Sequence, residues 1–179
     1  MSVSDLLYRS IPQAKILFMY RNALTWAYSF SRAFGAADDA QLNERLEKYG
    51  FRYMIPSVND YLKTQPHIRW VEYIAHMWVS TMKDTRWLQR QGAALACARF
   101  EDMKATPQAV LEPLLTHCGL PMPAPDLLAG VLARDSQAGT EGAQDKKEPA
   151  RRLTDADLAE LDRVIRALDP ELAPDTILQ

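Results

Sequence analysis

Arg21 and Ser29 are the two residues of this chain whose types and spacing best suit anion capture, an arginine closing an apolar run and a serine eight positions later. A guanidinium takes two phosphate or sulfate oxygens at once, and a hydroxyl two helical turns on can supply a further donor. Asn22, between them, has a side chain that caps helices, so a helix starting at Ala23 would aim its N-terminal N–H groups and positive pole at the same place. Spacing alone is equally consistent with a solvated helix face beside a strand-end arginine. The second chemical cluster is Arg99, Phe100, Glu101 and Asp102. Its adjacent carboxylates fit acid–base work by type, but side chains next to each other on a strand point to opposite faces, so they read as structural. His76 stands among tryptophans with no nucleophile or second ligand nearby and reads as a core histidine, and His67 and His117 make no stronger case. Cys97 and Cys118 have no CxxC or Cys/His spacing; they read as reduced core thiols, and no metal site is expected.

The elements that must position these groups follow from the apolar pattern. Residues 15–20 (KILFMY) are too short and too uniformly apolar for a surface helix and suit a parallel strand buried on both faces. In 22–34, Asn22, Thr25, Ser29 and Arg32 fall on one polar stripe, opposite Trp26, Ala27, Phe30 and Phe34. A short helix precedes the strand. Residues 38–49 read as a solvated surface helix stopped at Gly50, and 51–66 as a loop with at most a short helix near 59–63. Residues 68–90 carry the longest helical pattern, with Trp70, Val71, Ile74, Trp78 and Met82 on its apolar face. Gly92 ends it, and 93–100 (AALACARF) is the second buried strand. Helices follow from Thr106 and Pro107 to about Cys118, over 125–133, and from Thr154 to Leu168, with a loosely held tail after Pro170. Residues 134–152, with Ser136 and Gln137 near their start and Lys146, Lys147, Arg151 and Arg152 near their end, read as a polar mobile loop or a linker.

Length and composition fit one domain: 179 residues, 47% hydrophobic, 25% charged. With a net charge of −2 and a pI near 5.9, no global basic field argues for nucleic acid, so an anion site must be local. The start lacks the layout of a secretory signal, and no window approaches a bilayer span, so the chain is expected to be soluble and cytoplasmic, without a membrane partner.

The stretch PQAKILFMYRNALTWAYSFSR, 12–32, resembles the 3′-phosphate-binding segment of the sulfotransferases that use 3′-phosphoadenosine 5′-phosphosulfate (PAPS). ARFEDMKATPQAVLEPLLTHCGLP, 98–121, is similar to a later strand and helix of that family, and DSQAGT, 135–140, to the loop before the last helix of its bacterial members. The resemblance implies a partial P-loop-like α/β fold, helix-rich, with a small parallel sheet of about two strands. It implies PAPS as donor, Arg21 and Ser29 on its 3′-phosphate, and Phe100 against its adenine where tyrosine is commoner. Ser136, Gln137 and a basic residue among Lys146, Lys147, Arg151 and Arg152 would close over the phosphate and ribose. Tyr53, Met54, Ile55 and Tyr61 would line the side of a small-molecule or glycan acceptor, with simple packing against the next helix as the alternative.

The seven glycines never form a Gly-Lys-Ser/Thr loop, and the family's 5′-phosphosulfate loop and general base would fall before Met1. The resemblance therefore covers the C-terminal part of the family fold, 1–179 reads as a single N-terminally incomplete domain, and no catalytic residue is assigned. A two-stranded sheet has open edges and uncovered faces, so either the fold is rebuilt mostly from helices or a second copy or partner chain covers it, and a truncated product of a longer gene is equally consistent. The alternative is a non-catalytic helical interaction module or truncated remnant; the missing loop argues against a kinase.

Overall fold

The computed structural model of the chain describes residues 3–34, 38–50, 55–134 and 153–178. In order these form α1 (Val3–Ser10), β1 (Ile16–Tyr20), α2 (Ala23–Phe34), α3 (Asp39–Lys48), α4 (Pro56–Thr64) and α5 (Trp70–Arg90). They continue as β2 (Leu95–Arg99), α6 (Phe100–Ala105), α7 (Pro107–Cys118), α8 (Pro125–Leu132) and α9 (Asp155–Leu168). The class is α/β: the chain is mostly helical and carries a two-stranded parallel sheet in which Ile16 pairs with Leu95 and Tyr20 with Arg99.

The spine is α5. An amphipathic pattern predicts one apolar face, yet every residue from Trp70 to His76 is buried, the charged Glu72 included. A helix enclosed on all sides is a core helix. Its neighbours explain the enclosure: α9 packs along it with Leu161 and Ile165 fully inside, and α1, α2 and α4 cover other sides. Glu72 remains tolerable there because its carboxylate accepts from the Arg69 N–H at 2.8 Å and from the Tyr61 hydroxyl at 3.3 Å. Among the described residues no helix is long and apolar enough to cross a membrane.

Four expectations need correction. β1 is not buried on both faces: among the described residues Leu17 and Met19 are 50% and 52% exposed, and β2 is the sole strand neighbour of β1. The polar helix α3 is a clamp as well as a surface element. Asp38 caps it, Leu42 and Leu46 enter the core, the Asn43 side chain holds both backbone groups of Ile68, and Asp39 accepts from the Trp70 N–H at 2.8 Å. The segment expected to be mostly loop contains the full helix α4, started by Pro56 at its first turn, with Val58 wholly buried. The tail after Pro170 is fastened, with Leu172 and Leu178 in the core. The predicted cap at Asn22, the left-handed stop at Gly119 and the Thr154/Asp157 capping box all form.

His76 lies in this core 2% exposed, edge-on to the Tyr61 ring at 5.5 Å and one turn from Glu72, and its Nδ1 has no hydrogen-bond partner among the described residues. Burial holds its pKa down at about 4, against 6.5 for a free side chain. The imidazole is therefore neutral in the fold, while the unfolded chain takes up a proton below pH 6.5. Stability is full above that pH, falls between 6.5 and 4, and levels off below, for a total loss from this group of about 3 kcal/mol. Urea melts across that window should show the loss in the native chain and a flatter profile in His76→Leu.

Candidate functional site

The β1–β2 register sets which residues meet beyond the sheet. Each pair is 79 positions apart, and extending the same offset past Tyr20 and Arg99 brings Arg21 to Phe100 and Asn22 to Glu101. Both contacts are present. The Arg21 guanidinium lies over the Phe100 ring, 3.9 Å from its centroid, and the Asn22 N–H donates to the Glu101 carboxylate at 3.3 Å. The corner formed by the C-terminal ends of two parallel strands and the start of α2 is where open α/β sheets take ligands.

Several partners fix the backbone here. The Arg21 carbonyl accepts from the indole N–H of Trp78 at 3.0 Å, and the Ala23 N–H donates to the Pro174 carbonyl at 2.7 Å. Asn22 caps α2 through its Oδ1, which accepts from the Thr25 N–H at 2.8 Å. The Tyr20 hydroxyl accepts from the Leu178 N–H at 2.8 Å, and burial pushes its own pKa up. Between β1, α2 and α5 opens a cavity of about 370 Å³, walled by Phe18, Trp26, Trp78 and Met82 with Arg21 and Phe100 at its edge. That volume and apolar lining suit a small organic group.

Sequence reasoning pictured free N–H groups at the start of α2. The structure replaces that picture, because those of Asn22, Ala23 and Thr25 are committed to Glu101, Pro174 and the Asn22 side chain. Glu101 also accepts a short hydrogen bond from the Thr25 hydroxyl, so a carboxylate of the chain itself occupies the positive end of the helix. The placement of the acidic pair on a strand is likewise corrected. Phe100, Glu101 and Asp102 form the first turn of α6, and Asp102 makes a two-pronged pair with Arg99 at 2.7 and 3.1 Å. Glu101 and Asp102 thus hold the strand end, as their structural reading implies. Among the described residues no carboxylate forms an ion pair with Arg21, which leaves its guanidinium on an aromatic face.

Of the expected site residues, Arg21 and Phe100 touch. Ser29 lies partly buried on α2, two turns beyond Asn22. Ser136, Gln137, Lys146, Lys147, Arg151 and Arg152 lie outside the described residues, as do Tyr53 and Met54. Ile55 is buried in the main core, and Tyr61 packs partly buried against it, the plain packing alternative to an acceptor wall. Cys97 and Cys118 are free thiols, and burial pushes that of Cys97 up. The sequence reading missed Trp78, Pro174 and Leu178 as supports of the corner. The signal available was the strand register, since a fixed offset names the residue opposite each position. Family models, curated proteins and solved structures gave no match to this chain.

The two carboxylates should separate in a stability measurement. Glu101→Ala leaves the Asn22 N–H without its acceptor, shifts the Thr25 hydroxyl onto the Asn22 carbonyl 3.3 Å away, and is expected to cost about 2 kcal/mol. Asp102→Ala loses a partly exposed pair within one helical turn and should cost less than about 1 kcal/mol in the same denaturant series.

Proposed function

We propose that this chain is a sulfotransferase-family protein with a partial P-loop-like fold, acting in the transfer of a sulfuryl group from PAPS to a hydroxyl or amine of a small-molecule or glycan acceptor. The supporting observation is the Arg21 guanidinium at the common C-terminal end of two parallel strands, lying on the Phe100 ring beside an apolar cavity. A cation on an aromatic face gains about 0.5–1 kcal/mol when exposed, whereas a guanidinium paired with phosphate makes two charge-assisted hydrogen bonds. A 3′-phosphate therefore competes well for Arg21, and the guanidinium's departure frees the ring face of Phe100 for adenine. Ser29 supplies a hydroxyl from α2, the helix that follows Arg21, and Ser136 and Gln137 complete the proposed donor contacts. The transfer is an in-line displacement in which anchoring the donor away from the reacting sulfur contributes through positioning. Leu17 and Met19 on the open side of β1 are where a partner chain or second copy would add.

A second reading rests on Glu101. A carboxylate built into the start of α2 gives the corner a structural purpose without any ligand, and favours a non-catalytic interaction module.

Calorimetric titration with adenosine 3′,5′-bisphosphate (PAP) separates the two. Saturable micromolar binding is expected, weakened at least tenfold, or about 1.4 kcal/mol, by Arg21→Ala and less by Ser29→Ala. A folded protein that takes up no PAP supports the second reading.

A further inference from the structure

We infer that the segment 169–178 is a positioning strap that holds Arg21 at the strand end; the inference rests on the reading of Arg21 as a phosphate ligand. The strap grips the chain on both sides of the Arg21–Asn22 link. Before it, the Tyr20 hydroxyl accepts from the Leu178 N–H at 2.8 Å; after it, the Ala23 N–H donates to the Pro174 carbonyl at 2.7 Å. Two contacts four positions apart in the tail thus fix two residues three positions apart in the corner, and the intervening backbone has little freedom left. The third hold comes from the spine, where the Trp78 indole N–H donates to the Arg21 carbonyl at 3.0 Å.

The strap is itself anchored along its length. Lys83 donates to the Leu168 carbonyl at 2.9 Å where the strap begins, and Arg86 pairs with Asp169 at 3.5 Å and with Glu171. Leu172 is 1% exposed and Leu178 8%, and the turn between them is closed by the Thr176 hydroxyl accepting from the Ala173 N–H at 2.7 Å. A segment with no regular secondary structure gains this order by burying two leucines and satisfying its N–H groups locally. Among the described residues, apart from the Asp169 N–H that continues the ladder of α9 onto Ile165, its hydrogen bonds to the rest of the chain meet the spine helix or the two residues that flank the Arg21–Asn22 link. That placement makes the strap a determinant of where the guanidinium projects.

Three full-length variants test it. Tyr20→Phe removes the hydroxyl that receives the Leu178 N–H and keeps the ring; Leu178→Ala withdraws the buried anchor; Ile177→Ala, at a neighbouring side chain 63% exposed, is the control. PAP affinity is read by calorimetry, and the Trp78 indole N–H resonance, assigned with Trp78→Phe, reports on the Arg21 carbonyl. The expected result is at least a tenfold loss of affinity and a shifted Trp78 resonance in Tyr20→Phe and Leu178→Ala, with Ile177→Ala like the native chain. Native-like affinity and an unmoved resonance in both, even with a lowered melting temperature, overturn the strap and leave the reading of Arg21 intact. If the native chain itself takes up no PAP, the reading of Arg21 fails and the role given to the strap fails with it.

Discussion

The parallel register of β1 against β2 is the constraint on which the candidate site depends. Parallel strands bring like ends together, so the two chains leave the sheet side by side and their next residues meet. Arg21 reaches Phe100 and Asn22 reaches Glu101 because the pairing continues one and two positions past the last bridge. A slip of one position would set Arg21 against the Glu101 carboxylate and move every strand side chain to the other face. The spine enforces the correct register from one side, since Phe18 and Tyr20 pack with the buried α5 core.

The charges of the corner are arranged with economy. Arg99 is matched by Asp102, Glu101 faces the positive pole of α2, and Arg21 rests on a ring. An aromatic face is a weak holding place for a cation, so the Arg21 guanidinium is oriented yet not committed to an anionic partner among the described residues. Glu101 works in the opposite direction, repelling an anion that approaches the helix start. Any anion bound here is therefore drawn toward the guanidinium rather than toward the backbone N–H groups, which differs from sites built on a bare helix terminus.

Much of the local structure was legible because single residues dictate it. Asn22 caps α2, Gly119 takes the left-handed turn after α7, and Thr154 with Asp157 opens α9, each through chemistry confined to three or four neighbours. What was not legible depends on distant chain. The polar sequence of α3 hides a clamp because Asn43 bonds to Ile68, 25 positions on. The enclosure of α5 from Trp70 to His76 reflects how many neighbours surround it, which its own periodicity does not encode. The first turn of α6 was read as strand because aromatic and apolar residues run on without a breaker into Glu101. Family resemblance set Arg21 and Phe100 on one donor molecule but not against each other; their contact follows from the strand pairing.

The same register has a consequence for how the chain acquires its fold. Partners 79 positions apart must find one another across all of α2 to α5, and closing a flexible loop of that length costs about 4 kcal/mol in chain entropy. Helices form locally in microseconds or less, ahead of a parallel pairing that must first close that loop. Throughout that interval ILFMY is an unpaired apolar strand with Leu17 and Met19 facing water, a segment suited to pairing with copies of itself. Refolding of this protein is thus a race between β2 arriving and another molecule arriving first, and dilution favours the native partner.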